Sequence, residues 1–122
     1  MELDVLFSRI VEEMPGYLAA AVGSFDPEGK FYSHTTGDID LSYMRNTIPK
    51  MVQHYADIYN GLGGAIDLGS NDEILITASR VYLLIKLNHE RHQFVAVLLS
   101  SSGNIGYLRF RIRDYLRLVS AS

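Results

Sequence analysis

The sequence predicts an α+β fold: an antiparallel sheet of about five strands with helices packed on it, in the order helix, two strands, helix, three strands, helix. Two observations lead there. Apolar residues recur three and four apart in three separate stretches, and the runs between them are apolar, partly β-branched and bounded by turn residues. Three of those runs follow the second helix in a meander, and such strands cannot form a parallel doubly wound sheet. The 122 residues suit one domain spanning 1–122.

The first helix is set by Leu3, Leu6, Phe7, Ile10, Val11 and Met14, one apolar stripe, with Glu2, Asp4, Arg9, Glu12 and Glu13 on the other side. Pro15-Gly16 stops it. Tyr17 to Phe25, rich in Ala and Val, reads as a buried strand. Asp26-Pro27-Glu28-Gly29 has the residues of a tight turn, and Lys30 to Thr36 resumes in extended form, so the pair is a hairpin. Gly37-Asp38-Ile39-Asp40 breaks the strand, and either aspartate can cap the second helix.

The second helix keeps its spacing from Leu41 through Met44, Ile48, Met51, Val52, Tyr55, Ile58 and Tyr59 and ends near Gly61-Leu62-Gly63-Gly64. Pro49 lies inside it, which means either a kink or two helices with Pro49 opening the second. Ala65 to Ser70 is either a short strand or a connection. Glu73 to Ala78 and Val81 to Leu87 are strands joined at Ser79-Arg80, and Gln93 to Ser100 is a third, after the polar turn His89-Glu90-Arg91-His92. Asn104 caps a last helix with the apolar face Ile105, Leu108, Ile112, Tyr115, Leu116 and Val119.

Composition narrows the function. With no cysteine there are no disulfides, thiolate metal sites or cysteine nucleophiles. A net charge of −3 is too mild for general nucleic-acid binding. The start, Met1-Glu2-Leu3-Asp4, lacks the basic, apolar look of a secretory signal, and a cytoplasmic location is expected. Charge is unevenly spread: residues 1–61 hold four Lys/Arg against nine Asp/Glu, residues 62–122 seven against five. Such asymmetry suggests complementary surfaces within one chain or between copies.

No motif announces catalysis. His89 and His92 with Glu90 resemble part of a zinc site, but a closed site needs four ligands and His34 and His54 belong to other elements. Ser100-Ser101-Ser102-Gly103-Asn104 leads into a helix but lacks the lysine and glycine spacing of a phosphate loop, so capping explains it. Arg109, Arg113 and Arg117 repeat every four residues and make either a solvated face or a site for an acidic partner or lipid headgroups. Met44, Met51 and Tyr55 share one stripe of the second helix, which either packs in the core or, over so wide an apolar arc, leaves surface for a partner, since Met and Tyr suit adaptable contact surfaces. The expectation is a protein that is no enzyme and needs no metal or cofactor.

This order of elements resembles the roadblock family of dynein light chains and its prokaryotic relatives. The resemblance rests on Leu3 to Pro15, on Ala19-Ala20-Ala21-Val22-Gly23-Ser24-Phe25-Asp26-Pro27-Glu28-Gly29, on Glu73-Ile74-Leu75-Ile76-Thr77-Ala78 as a central strand, and on Phe94 to Ser100 with Asn104-Ile105-Gly106-Tyr107-Leu108-Arg109. Profilin-like and longin domains share a similar architecture. The family fold implies a five-stranded antiparallel sheet with helices on both faces and a homodimer that pairs central strands and long helices. It further implies a Ras-like small GTPase as partner. Carried onto this chain, the dimer interface takes Met44, Ile48, Met51, Tyr55, Ile74 and Ile76. The polar flank of the second helix, Arg45, Lys50, His54 and Asp57, takes the partner. A different function class is a small-molecule sensor with a ligand cavity between sheet and helices.

Overall fold

The computed structural model describes residues 3–26, 29–37, 39–63 and 72–120. Its elements follow the order α1 (Leu3–Glu13), β1 (Tyr17–Ser24), β2 (Phe31–Thr35), α2 (Met44–Gly63), β3 (Glu73–Thr77), β4 (Val81–Asn88), β5 (Gln93–Ser100) and α3 (Ile105–Ser120). The strands form one sheet in the order β2-β1-β5-β4-β3, and every neighbouring pair is antiparallel. This is the α-β-β-α-β-β-β-α order the sequence implies.

Helices cover both faces. On one, α1 and α3 bury Leu6, Phe7, Ile10, Leu108, Ile112, Tyr115 and Val119 against Val22, Leu84, Val95, Val97 and Leu99. On the other, α2 lies over Ala19, Ala21, Ile85, Leu87, Phe94 and Ala96. The alternation along β4 and β5 assigns each side chain to its face, as a pleat with period two requires.

Several local expectations are settled. Gly16 adopts φ +83°, ends α1 in the left-handed region, and its carbonyl accepts the Ser100 N–H at 2.8 Å. Gly23 is needed for close approach, since a Cβ there would stand 2.1 Å from the Lys30 carbonyl oxygen. The hairpin turn is closed by the Gly29 N–H donating to the Asp26 carbonyl at 2.9 Å; Pro27 and Glu28 lie outside the described residues. Val11, grouped with the α1 stripe, is exposed: it sits one residue past the buried Ile10, about 100° around the helix.

α2 is one continuous helix through Pro49. Pro49, in the second turn, has no N–H to donate to the Arg45 carbonyl. The helix begins after Leu41 because Asp40 takes up the preceding turn: its Oδ1 accepts from the Ser42 N–H at 2.9 Å and the Ser42 hydroxyl at 2.7 Å. Asp38, the other candidate cap, and the segment Ala65 to Ser70 lie outside the described residues. Glu73 to Ala78, expected as a central strand, is instead the edge of this chain's own sheet: β3 pairs with β4 alone among the described residues.

Candidate interaction surface

The α2 face of the sheet is thinly covered. The sheet beneath presents the small residues Ala19, Ala21 and Ala96 beside the larger Ile85, Leu87 and Phe94. Of the 20 residues of α2, Ile48 alone is fully buried, at 0% exposure. Met44, Met51, Val52 and Tyr55 are only partly covered, and Ile58 on the same arc is 62% exposed. Beside them a small cavity of about 50 Å³ is lined by Ala19, Ala21, Leu41, Met44, Leu83, Ala96 and Leu98.

β3 extends this surface. Ile74 packs toward α2's side of the sheet, and Ile76, two residues on, faces the same way with 44% exposure. The register Ile74↔Ile85 and Ile76↔Leu83 continues the apolar row onto β4. Five of the six residues expected at a dimer interface therefore lie on one face: Met44, Met51, Tyr55, Ile74 and Ile76. Ile48 does not join them, because its side chain is spent inside the core.

The polar flank of α2 divides in two. Arg45 reaches over the Phe31 ring, 5.7 Å from its centroid, and donates to the Phe31 carbonyl at 3.4 Å. Arg45 and Lys50 line one wall of a groove of about 590 Å³, with Phe25, Asp26 and His92 on the other. His54 and Asp57 are exposed and lie outside that groove, where Gln53 donates to Asp57 at 3.1 Å. His92 is engaged with Asp26 at 2.7 Å and stacks on Phe25. Among the described residues no three of His, Asp and Glu gather as metal ligands.

On the opposite face the arginines of α3 are largely used. Arg109 donates to Glu73 at 2.7 Å, and Arg117 to Asp114 at 3.3 Å. Arg111 bridges Glu13 at the end of α1 and Asp114, each at 3.0 Å, and the Tyr115 hydroxyl donates to the same Glu13 carboxylate. Partial burial pushes that carboxyl up, but the hydrogen bonds from Tyr115 and Arg111 and the charges of Arg111 and Arg9 outweigh it, so Glu13 sits below the usual carboxylate range. Burial, with the Glu13 carboxylate next to it, raises the Tyr115 phenol. Asn104 caps α3 by accepting the Tyr107 N–H at 2.9 Å, and in the loop before it the Ser100 and Ser102 hydroxyls are hydrogen-bonded to each other at 2.6 Å. Sequence reading passed over two exposed aromatics of this helix, Tyr107 and Phe110; both break the apolar spacing of α3, which was the available signal.

No protein-family model and no curated protein matches this chain. Solved structures do. A roadblock/LC7 domain from Streptomyces avermitilis aligns with TM-score 0.72 at 17% identity, covering 99% of this chain and 97% of that one. MglC from Myxococcus xanthus aligns at 0.61 and 19%, covering 99% and 98%. Myxococcus xanthus MglB aligns at 0.74 and 12%, covering 93% and 80%. At such identities the likeness speaks for architecture, and the architecture is the roadblock fold.

Proposed function

We infer that this chain is a non-catalytic, homodimeric roadblock-type module of the cytoplasm that binds a Ras-like small GTPase and regulates or scaffolds it. The observation that carries the reading is the thin cover of α2: a long amphipathic helix with one fully buried residue, continuous with the apolar row of an edge strand. A surface of that kind is an interaction site by default. Pairing with a copy through β3 extends the sheet and lets two α2 helices cover each other, which removes the exposed edge. The small GTPase comes from the resemblance to the roadblock family and from the fold.

The sensor reading is the weaker one. The cavity enclosed between α2 and the sheet is about 50 Å³, against roughly 300–1,000 Å³ for a small-molecule site, and the larger groove beside Arg45 and Lys50, about 590 Å³, is an open surface cleft.

The test is co-purification with a Ras-like GTPase loaded with GDP or with a GTP analogue. The dimer should retain the GTPase, and reversing Arg45 and Lys50 to Glu should slow association while leaving fold and dimer intact, because rim charges act mainly on encounter. If only reversal of Arg109 and Arg113 abolishes capture, docking on α2 is wrong.

A further inference from the structure

On the side of the sheet away from α2, the two-helix layer carries an anomaly. Phe110 stands at the middle of the solvent face of α3, 69% exposed, with Tyr107 exposed one turn before it. Arg113 and Arg117 come next on the same face, and Arg113 makes no ion pair among the described residues. α1 shares that layer, held to α3 by Glu13. Its solvent face presents the complement: Val5, 50% exposed, with Asp4 and Glu12 unpaired among the described residues. Arg9 is the exception on α1 and Asp114 on α3.

We propose that this layer is a second self-association surface, on which α3 of one copy rests on α1 of another and α1 on α3 in return. The occupant is a second copy because the two halves of the surface match each other in two respects. An aromatic pair on one helix meets an aliphatic residue on the other, and an arginine pair meets a carboxylate pair. One two-fold relation satisfies both contacts at once, as an isologous interface requires. The uneven charge along the chain thereby finds its place: the acidic front supplies α1, the basic back supplies α3. The surface is on the opposite side of the sheet from the α2 and β3 face, so both can be occupied together and dimers can assemble into larger species. The helices are roughly 16 and 24 Å long and helices in such a layer lie about 8–10 Å apart. The contact is therefore small, and association is weak and concentration-dependent.

The test uses the full chain carrying Ile76→Glu, which disables the α2 and β3 face, so that exchange there does not contribute. Sedimentation velocity should show monomer at low micromolar concentration and reversible dimer at hundreds of micromolar. Phe110→Ser should weaken that dimer at least tenfold. Arg113→Glu with Arg117→Glu, and separately Asp4→Lys with Glu12→Lys, should each abolish it, yet an equimolar mixture of the two reversed proteins should associate, since each then offers what the other lacks. Circular dichroism reports that each variant stays folded. Absence of association at the highest concentration, association indifferent to Phe110, or a mixture that stays monomeric would each overturn the proposal, including capture of some other acidic partner by Arg113 in place of self-association.

Discussion

Glu13 is the residue on which the α1–α3 layer turns. It closes α1, and its carboxylate accepts from Arg111 and from the Tyr115 hydroxyl, joining positions 98 and 102 residues apart. Glu13→Gln keeps the size but removes the charge those donors point at, which should cost about 1–2 kcal/mol. The pH dependence has a definite sign. The folded carboxyl lies below its ordinary value, so its contribution is complete above the unfolded value, near 4.5, and is lost as pH falls through the folded one. Thermal unfolding of wild type and Glu13→Gln should therefore differ most at pH 7 and converge as pH falls below 4.5 and through the folded value; a gap that stays constant with pH would contradict this role. Nothing in the sequence marks Glu13 apart from Glu12 beside it. Which of the two meets Arg111 depends on how α1 lies on the sheet, and helical spacing alone leaves that open.

α2 and β3 are the elements on which the proposed function depends, and both are legible in part. The spacing from Leu41 to Tyr59 correctly marks one apolar side, and the glycines mark its end. The degree of burial was hidden, because it depends on the residues of β1, β4 and β5 that face the helix. The β-branched run of β3 marks a strand but not its place in the order, which is set by where β5 inserts, next to β1. That placement changes how the strand should be tested. The Leu87 N–H donates to Asp72 and the Ala78 N–H to Val81, so even-numbered residues of β3 point their amides at β4 and odd-numbered ones point outward. Proline at Ile74 or Ile76 would break the chain's own hairpin. Thr77→Pro removes an outward amide instead, a change an edge strand tolerates. Light scattering should show a weakened dimer and calorimetry a nearly unchanged melting temperature; a fully dimeric, stable Thr77→Pro would argue against strand pairing at this edge.

For the whole molecule, the sheet separates two layers of different character. The α1–α3 layer holds the larger core, including Val95, Val97 and the buried Tyr115. The α2 layer is thin and leaves its apolar arc uncovered. Most of the buried core lies on the α1–α3 side, so substitutions on the exposed flank of α2 should alter binding with at most ~0.5 kcal/mol of change in stability. The fold was readable because local signals agree with it: Gly16 stops α1, Asn104 starts α3, and the turn at Asp26–Gly29 closes the first hairpin. The interaction surfaces were readable only by type of residue, since whether Ile48, Ile58 or Phe110 meets water is decided by tertiary packing. The central claim is that a second copy covers the α2 and β3 face. Its most direct test is the mass of wild type and Ile76→Glu, measured by light scattering at the same low micromolar concentration. The account predicts twice the chain mass for wild type and the single-chain mass for a folded Ile76→Glu; a monomeric wild type, or a variant that remains a dimer, would contradict it.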